Sequence, residues 1–157
     1  MEKVALVSGC PPVLAIPLSR QLANDGYSVK VLFGSDYLQY AAEMSHCSQV
    51  YHEFDYRLES CLNVCKDASL VIHSEGYRGN VRLDTFRSAE YFAKNVTMHV
   101  NMLEAARQRK VDKYVFASSC GGLSSAMNGS SPSVVYGVWH KTIGETQCKY
   151  YYDFSGM

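Results

Sequence analysis

Apolar positions follow two rhythms along this chain. Val4–Val7, Val29–Phe33 and Ser69–His73 are short, almost unbroken apolar runs, as expected of strands buried on both faces. Lys113–Ala117 reads as a further strand, and Gln49–Phe54 as a weaker one. Between them the spacing changes to that of helices. Leu18–Asn24 predicts a helix stopped at Gly26, and Glu59–Lys66 a short one. Phe86–Arg109 predicts a long helix with Phe92, Val96, Val100 and Leu103 on one stripe, and Gly137–Asp153 a last helix. Gly121-Gly122 is a break, and Ser124–Ser133, rich in Ser, Gly and Asn, reads as a loop. Strands alternating with helices imply an α/β domain: a doubly wound parallel sheet with helices on both faces and right-handed crossovers. No repeat or linker divides residues 1–157, so one domain is expected.

Composition narrows the setting. Fifteen basic and fifteen acidic residues cancel, so the chain carries no electrostatic footprint for nucleic acid or an anionic membrane. No apolar run approaches the roughly 18–20 residues needed to span a bilayer, so no membrane insertion is expected. Six cysteines, at 10, 47, 61, 65, 120 and 148, form no C-x-x-C pair and no zinc spacing, so no metal site is expected. They read as reduced, mostly buried thiols of an intracellular protein, in the cytoplasm or an organelle matrix. The N-x-S/T matches at Asn95 and Asn128, without a signal peptide, read as chance.

Two blocks carry a resemblance. Asn95–Cys120, "NVTMHVNMLEAARQRKVDKYVFASSC", is similar to the long helix and following Ser-Ser strand of the extended short-chain dehydrogenases/reductases, the nucleotide-sugar epimerases, dehydratases and reductases. Its ending, Ser118-Ser119-Cys120, most resembles GDP-fucose synthases. Tyr136-Gly137-Val138 with Lys141–Glu145 resembles the family's Tyr/Lys helix, and Val71-Ile72-His73 its strand beneath the cofactor. The resemblance implies a Rossmann-like fold and NAD or NADP as cofactor. It also implies a tyrosine acid/base (Tyr136), a lysine lowering its pKa (Lys141), and a serine orienting the substrate (Ser119 or Ser118, one facing the site and the other the sheet). Asp55 matches an adenine-contacting aspartate, and Asn95 an asparagine near the active centre or a buried polar residue. Cys120 matches a cysteine that assists epimerisation, or simply ends a buried strand. The resemblance covers the family's first half, and the lobe that grips the sugar nucleotide is expected from another chain or not at all.

Against that template the functional positions depart. A dinucleotide site needs a glycine turn, a second glycine for close approach, and free N–H groups at a helix start. Gly9 supplies the first; Pro12 takes the second glycine's place and Ala15 the third. Pro11 and Pro12 each lack an amide donor. Pro17 fits a first helical turn, so a helix starting near Ile16 would begin a turn late. Where a ribose-reading residue belongs stand Phe33 and Gly34, with Asp36 displaced. Glu75 would repel a pyrophosphate, or it turns outward. Tyr136 is followed by His140 at the fourth position and Lys141 at the fifth, where one helical face requires four. His140 replaces the lysine, or Tyr136 precedes the helix and Lys141 reaches in, or a π-bulge absorbs a residue; the match of Lys141–Glu145 favours the second.

These departures imply a degenerate relative serving as a structural, accessory or regulatory subunit. The alternative is an NAD(P)-dependent nucleotide-sugar epimerase, dehydratase or reductase completed by a partner chain or dimer. A protein partner or homodimer through helices 86–109 and 137–153 is expected either way, and Tyr150–Tyr152 suggests a surface lying against something.

Overall fold

The computed structural model describes residues 2–9, 11–33, 35–74, 76, 81–119 and 132–156, with the backbone alone at 35–38, 81–88 and 132–139. Five parallel strands form one sheet in the order β3-β2-β1-β4-β5: β1 Lys3–Ser8, β2 Tyr27–Phe33, β3 Gln49–His52, β4 Leu70–His73 and β5 Lys113–Phe116. The helices are α1 Pro12–Asn24, α2 Leu58–Val64, α3 Val81–Gln108 and α4 Pro132–Ser155. The strand order reverses between β1 and β4, which is the Rossmann arrangement.

β1 explains the two-layer core. Its side chains alternate, and both faces are covered. Val4 and Leu6 join α2, α3, Tyr56 and Val71 on one side, while Ala5 and Val7 join α1, Val29, Val31, Phe33 and Met44 on the other. Met44 belongs to a 3-10 helix, Ser35–Met44, that the hydrophobic pattern does not predict. α4 packs along α3 and reaches β5, where Gly144 lets the Phe116 ring approach: an added Cβ would lie 2.4 Å from Phe116 Cζ. Arg107 forks onto Glu104, with N···O distances of 2.6 and 2.9 Å, and the Tyr151 hydroxyl donates to the same carboxylate at 3.0 Å, tying α4 to α3. The Arg107 fork, helped by Gln108 and Tyr151, holds Glu104 down to about 2.

Three expectations need correction. α1 starts at Pro12 rather than near Ile16 or Leu18, with Pro17 inside it. Pro12 sits at the first helical position, where its missing N–H has no intrahelical partner to lose. α3 and α4 each begin five residues ahead of the expected 86 and 137. The buried face of α3 is Asn95, Met98, His99, Met102, Ala105 and Ala106 with Leu103, whereas Val100 is 36% exposed. That face has helical spacing, but Asn, His and Ala give it little hydrophobic signal. Cys47, Cys61, Cys65 and Cys148 are free thiols, the middle two buried and the outer two half-buried; Cys10 and Cys120 lie outside the described residues. No described helix is long and apolar enough to cross a membrane.

Candidate functional site

In an open parallel sheet the crevice for a ligand lies beyond the carboxyl ends of the strands where their order reverses. Here that place is bounded by Ser8-Gly9 at the end of β1 and His73-Ser74 at the end of β4, joined by the Ser74 N–H donating to the Ser8 carbonyl at 2.8 Å. Gly9 turns the chain with φ 69°, the left-handed conformation only glycine adopts at little cost, and its N–H donates to Leu32 O at 3.2 Å. Gly9 therefore supplies the tight turn that ends β1.

The next described residues are the two prolines. Pro11 caps α1 with no side-chain hydrogen bond, and the buried Pro12 opens it. Neither carries an amide hydrogen. The Leu14 and Ala15 N–H groups turn back to the Pro11 carbonyl, at 2.9 and 2.8 Å. Val13 is thus the first residue of α1 that has a donor at all, and its side chain is 84% exposed. A pyrrolidine ring fills the place where a glycine would admit the ligand, and the helix start offers the positive end of its dipole with few directed donors. These residues do not fit a tightly held diphosphate. Ala15 is fully buried, letting α1 lie close on the sheet.

The other cofactor positions are mixed. Phe33 is buried in the core with Ala15 and Val31, so β2 ends without a side chain for a ribose. Asp55 is exposed and spent locally: it accepts hydrogen bonds from Ser60 and from the Arg57 N–H, the latter at 3.0 Å, which hold its carboxyl below the usual range. Asn95 is buried on α3, its Oδ1 3.8 Å from the Cβ position of Gly76. Glu75 lies outside the described residues, as do the side chains of Asp36 and Tyr136.

The residues expected to be catalytic are arranged differently from the template. β5 ends at Phe116, so Ser118 and Ser119 lie past the alternation of the strand and both are exposed, contrary to the expected one-in, one-out pattern. Ser118 Oγ donates to the Glu145 carboxylate. Tyr136 is inside α4, and the helix runs without a π-turn from 132 to 155. That removes the options of a tyrosine ahead of the helix and of a bulge, and puts His140 on the face of Tyr136. His140 is buried, with Nε2 3.4 Å from the Cβ position of Gly76. Lys141 still leans inward, its Nζ 3.5 Å from Ser74 O and 4.8 Å from the Phe116 ring centroid.

Sequence reasoning missed what stands behind His140. Its ring stacks on His99, with centroids 5.6 Å apart and planes at 22°. His99 Nδ1 lies 2.9 Å from His73 Nε2, His73 Nδ1 lies 3.1 Å from Ser8 Oγ, and Ser8 Oγ lies 3.0 Å from the Tyr56 hydroxyl. Burial foremost, then His99 and Lys141, push His73 well below the ordinary imidazole value. Burial, Lys141 and His140 bring His99 to about 3. No grouping of His, Cys, Asp or Glu among the described residues could hold a metal ion.

Residues 13–155 match the model of the NAD-dependent epimerase/dehydratase family. The chain belongs to that family. No curated protein matches it significantly. Solved structures of similar fold include a UDP-glucose 4-epimerase from Brucella ovis in complex with NAD, 20% identical with a TM-score of 0.76, covering 99% of this chain and 49% of that one. A UDP-glucose 4-epimerase from Thermotoga maritima with UDP-glucose is 16% identical, TM-score 0.74, covering 98% and 52%. An L-threonine dehydrogenase from Clostridium difficile is 20% identical, TM-score 0.74, covering 99% and 50%. This epimerase/dehydratase-family chain thus spans about half the length of these relatives, and the likeness is one of fold.

Proposed function

We propose that this chain is a family member that keeps the NAD-binding frame without a tight grip on the dinucleotide, and that it serves as a structural, accessory or regulatory subunit of a larger assembly. The observation carrying this reading is the corner between β1 and α1, where Pro11 and Pro12 replace amide donors with pyrrolidine rings. Phe33 buried in the core and His140 on the inward face of α4 support it. The partner surface on this reading is the outer side of α3 and α4, or a second copy there; Tyr150, Tyr152 and Phe154 are 61–72% exposed on the last turns of α4. The buried thiols Cys61 and Cys65, pushed up to about 12 by burial, suit a reducing intracellular compartment.

A second reading keeps the chemistry: an NAD(P)-dependent nucleotide-sugar epimerase, dehydratase or reductase, completed by a partner and using Ser119, Tyr136 and Lys141. What favours it is Lys141 Nζ leaning to Ser74 at the cleft floor. Thermal shift with NAD+, NADH, NADP+ and NADPH at millimolar concentration separates the two. No shift is expected. A rise of several degrees supports the enzyme, because ligand at 100 times Kd adds about 2.7 kcal/mol, and turnover lost in Tyr136→Phe would then assign the phenol.

A further inference from the structure

Away from the cleft, three soft donors meet on one hydroxyl. Ser19 is buried on α1, with its Oγ 2.8 Å from His46 Nε2 and 3.4 Å from Met44 Sδ, and it is hydrogen-bonded to the Cys47 thiol as well. Met44 ends the 3-10 helix, and His46 and Cys47 lie in the turn before β3. The Cys47 N–H returns to the Met44 carbonyl at 2.9 Å, so the run Met44-Ser45-His46-Cys47 folds back on itself and brings its two sulfurs to 3.9 Å. His, Cys, Asp and Glu alone give no metal site among the described residues. A thioether is also a ligand for a soft ion, and Met44 supplies one.

The spacing suits a single ion. Two sulfurs bonded to a trigonal ion at the usual metal–sulfur length of about 2.3 Å lie about 4.0 Å apart. The Cys47–Met44 contact already has that separation. Ser19 has one hydrogen for all its neighbours, which include Ile16 O at 3.0 Å, so sulfur lone pairs stay available. The His46 ring gives a further hydrogen bond to the Glu43 carbonyl, the kind of backbone contact that fixes the tautomer of a metal-binding imidazole. Ser19 and Met44 are buried, whereas His46 and Cys47 are half-buried and leave the ion a way in. Cys65 and Met102 also touch, at 3.7 Å, but that sulfur pair is sealed in the core.

Charge and coordination choose the ion. Arg20 on α1 acts on His46 and lies 4.0 Å from the Glu43 carboxylate. A divalent ion held by one thiolate would leave net positive charge beside Arg20, and zinc would lack its fourth ligand. A monovalent ion with one thiolate is neutral, and thiolate, thioether and imidazole together select copper(I).

We propose that Met44, His46 and Cys47 form a copper(I) site that clamps the turn before β3 to α1. On binding, Cu–Sγ, Cu–Sδ and Cu–Nε2 bonds form, the Cys47 S–H bond breaks, its proton leaves to water, and no oxidation state changes. The site rests on the fold and not on whether the cleft takes a dinucleotide, so its failure would leave the functional reading untouched.

The test is an anaerobic competition of the purified chain against the copper(I)–bicinchoninate complex, followed by X-ray absorption at the copper edge. A first equivalent should be taken up into a shell of two sulfurs and one nitrogen. His46→Gln and Cys47→Ser, both at half-buried positions, should each weaken uptake about tenfold or more. Met44→Leu, which keeps the packing volume, should do the same and remove one sulfur from the shell. Cys148→Ser should take up copper like the wild type. No uptake in the competition, a shell of sulfur alone, or uptake unchanged in both His46→Gln and Cys47→Ser would overturn the site, as would uptake lost in Cys148→Ser.

Discussion

Replacing Pro17 by alanine should stabilise the protein by about 2 kcal/mol. Pro17 is the sixth residue of α1 and is exposed, so no packing is lost with its ring. In the helix it withholds an N–H from the Val13 carbonyl and presses its ring on that same group. A mid-helix proline costs about 3 kcal/mol relative to alanine, and the figure here is lower because little more than one turn precedes it and the Val13 position is open to water. For a domain of 157 residues this corresponds to a rise of roughly 4–8 °C in Tm, readable by circular dichroism at 222 nm. The variant also tests where α1 begins. Were the helix to start near Ile16, Pro17 would occupy a first-turn position that favours proline, and Pro17→Ala would be neutral or destabilising. That result would refute the α1 boundary and with it the placement of Pro11–Pro12 at the cleft.

Three further expectations follow from packing and titration. Gly144→Ala should lower stability by about 1 kcal/mol, because overpacking against Phe116 at 2.4 Å outweighs the helix propensity gained. Adding Phe116→Leu should recover part of that loss, as a double-mutant cycle in urea would measure. Stability should fall with acidity: the unfolded chain binds protons below pH 6.5 that His99, at about 3, and His73 refuse in the fold. The loss grows from pH 6.5 toward 3 by up to about 1.4 kcal/mol per pH unit for each imidazole that stays neutral, and urea midpoints equal at pH 7.5 and 5.5 would contradict it. Tyr56→Phe should cost about 1 kcal/mol by removing the hydroxyl that meets Ser8 in the interior; a thermal melt unchanged from wild type would show that this hydrogen bond adds nothing to stability.

The strands were legible because a parallel strand buried on both faces is nearly all apolar, and β1, β2 and β4 are. Helix starts were harder. The prolines at 11, 12 and 17 look like punctuation, yet Pro12 begins α1 and Pro17 is carried inside it by the packing of Ala15 and Leu22 against the sheet. The ten-residue 3-10 helix was invisible because, among its described side chains, Met44 alone is buried in the core. The turn at Gly9 and the burial of Ala15 were legible from spacing alone. The spacing of Tyr136, His140 and Lys141 posed a question that only the helix boundary answers. The histidine path could not be read in advance: His73, His99 and His140 lie on three different elements, and their approach is a product of tertiary packing.

On the proposed function, the corner at Pro11–Pro12 denies the dinucleotide its diphosphate contacts. Calorimetric titration of NAD+ and NADP+ into the wild-type chain and into a Pro11→Ala, Pro12→Gly double variant tests it directly. No saturable heat is expected from the wild type at millimolar cofactor, with affinity raised at least tenfold in the variant. Micromolar binding to the wild-type chain, unimproved by the two substitutions, would contradict the account.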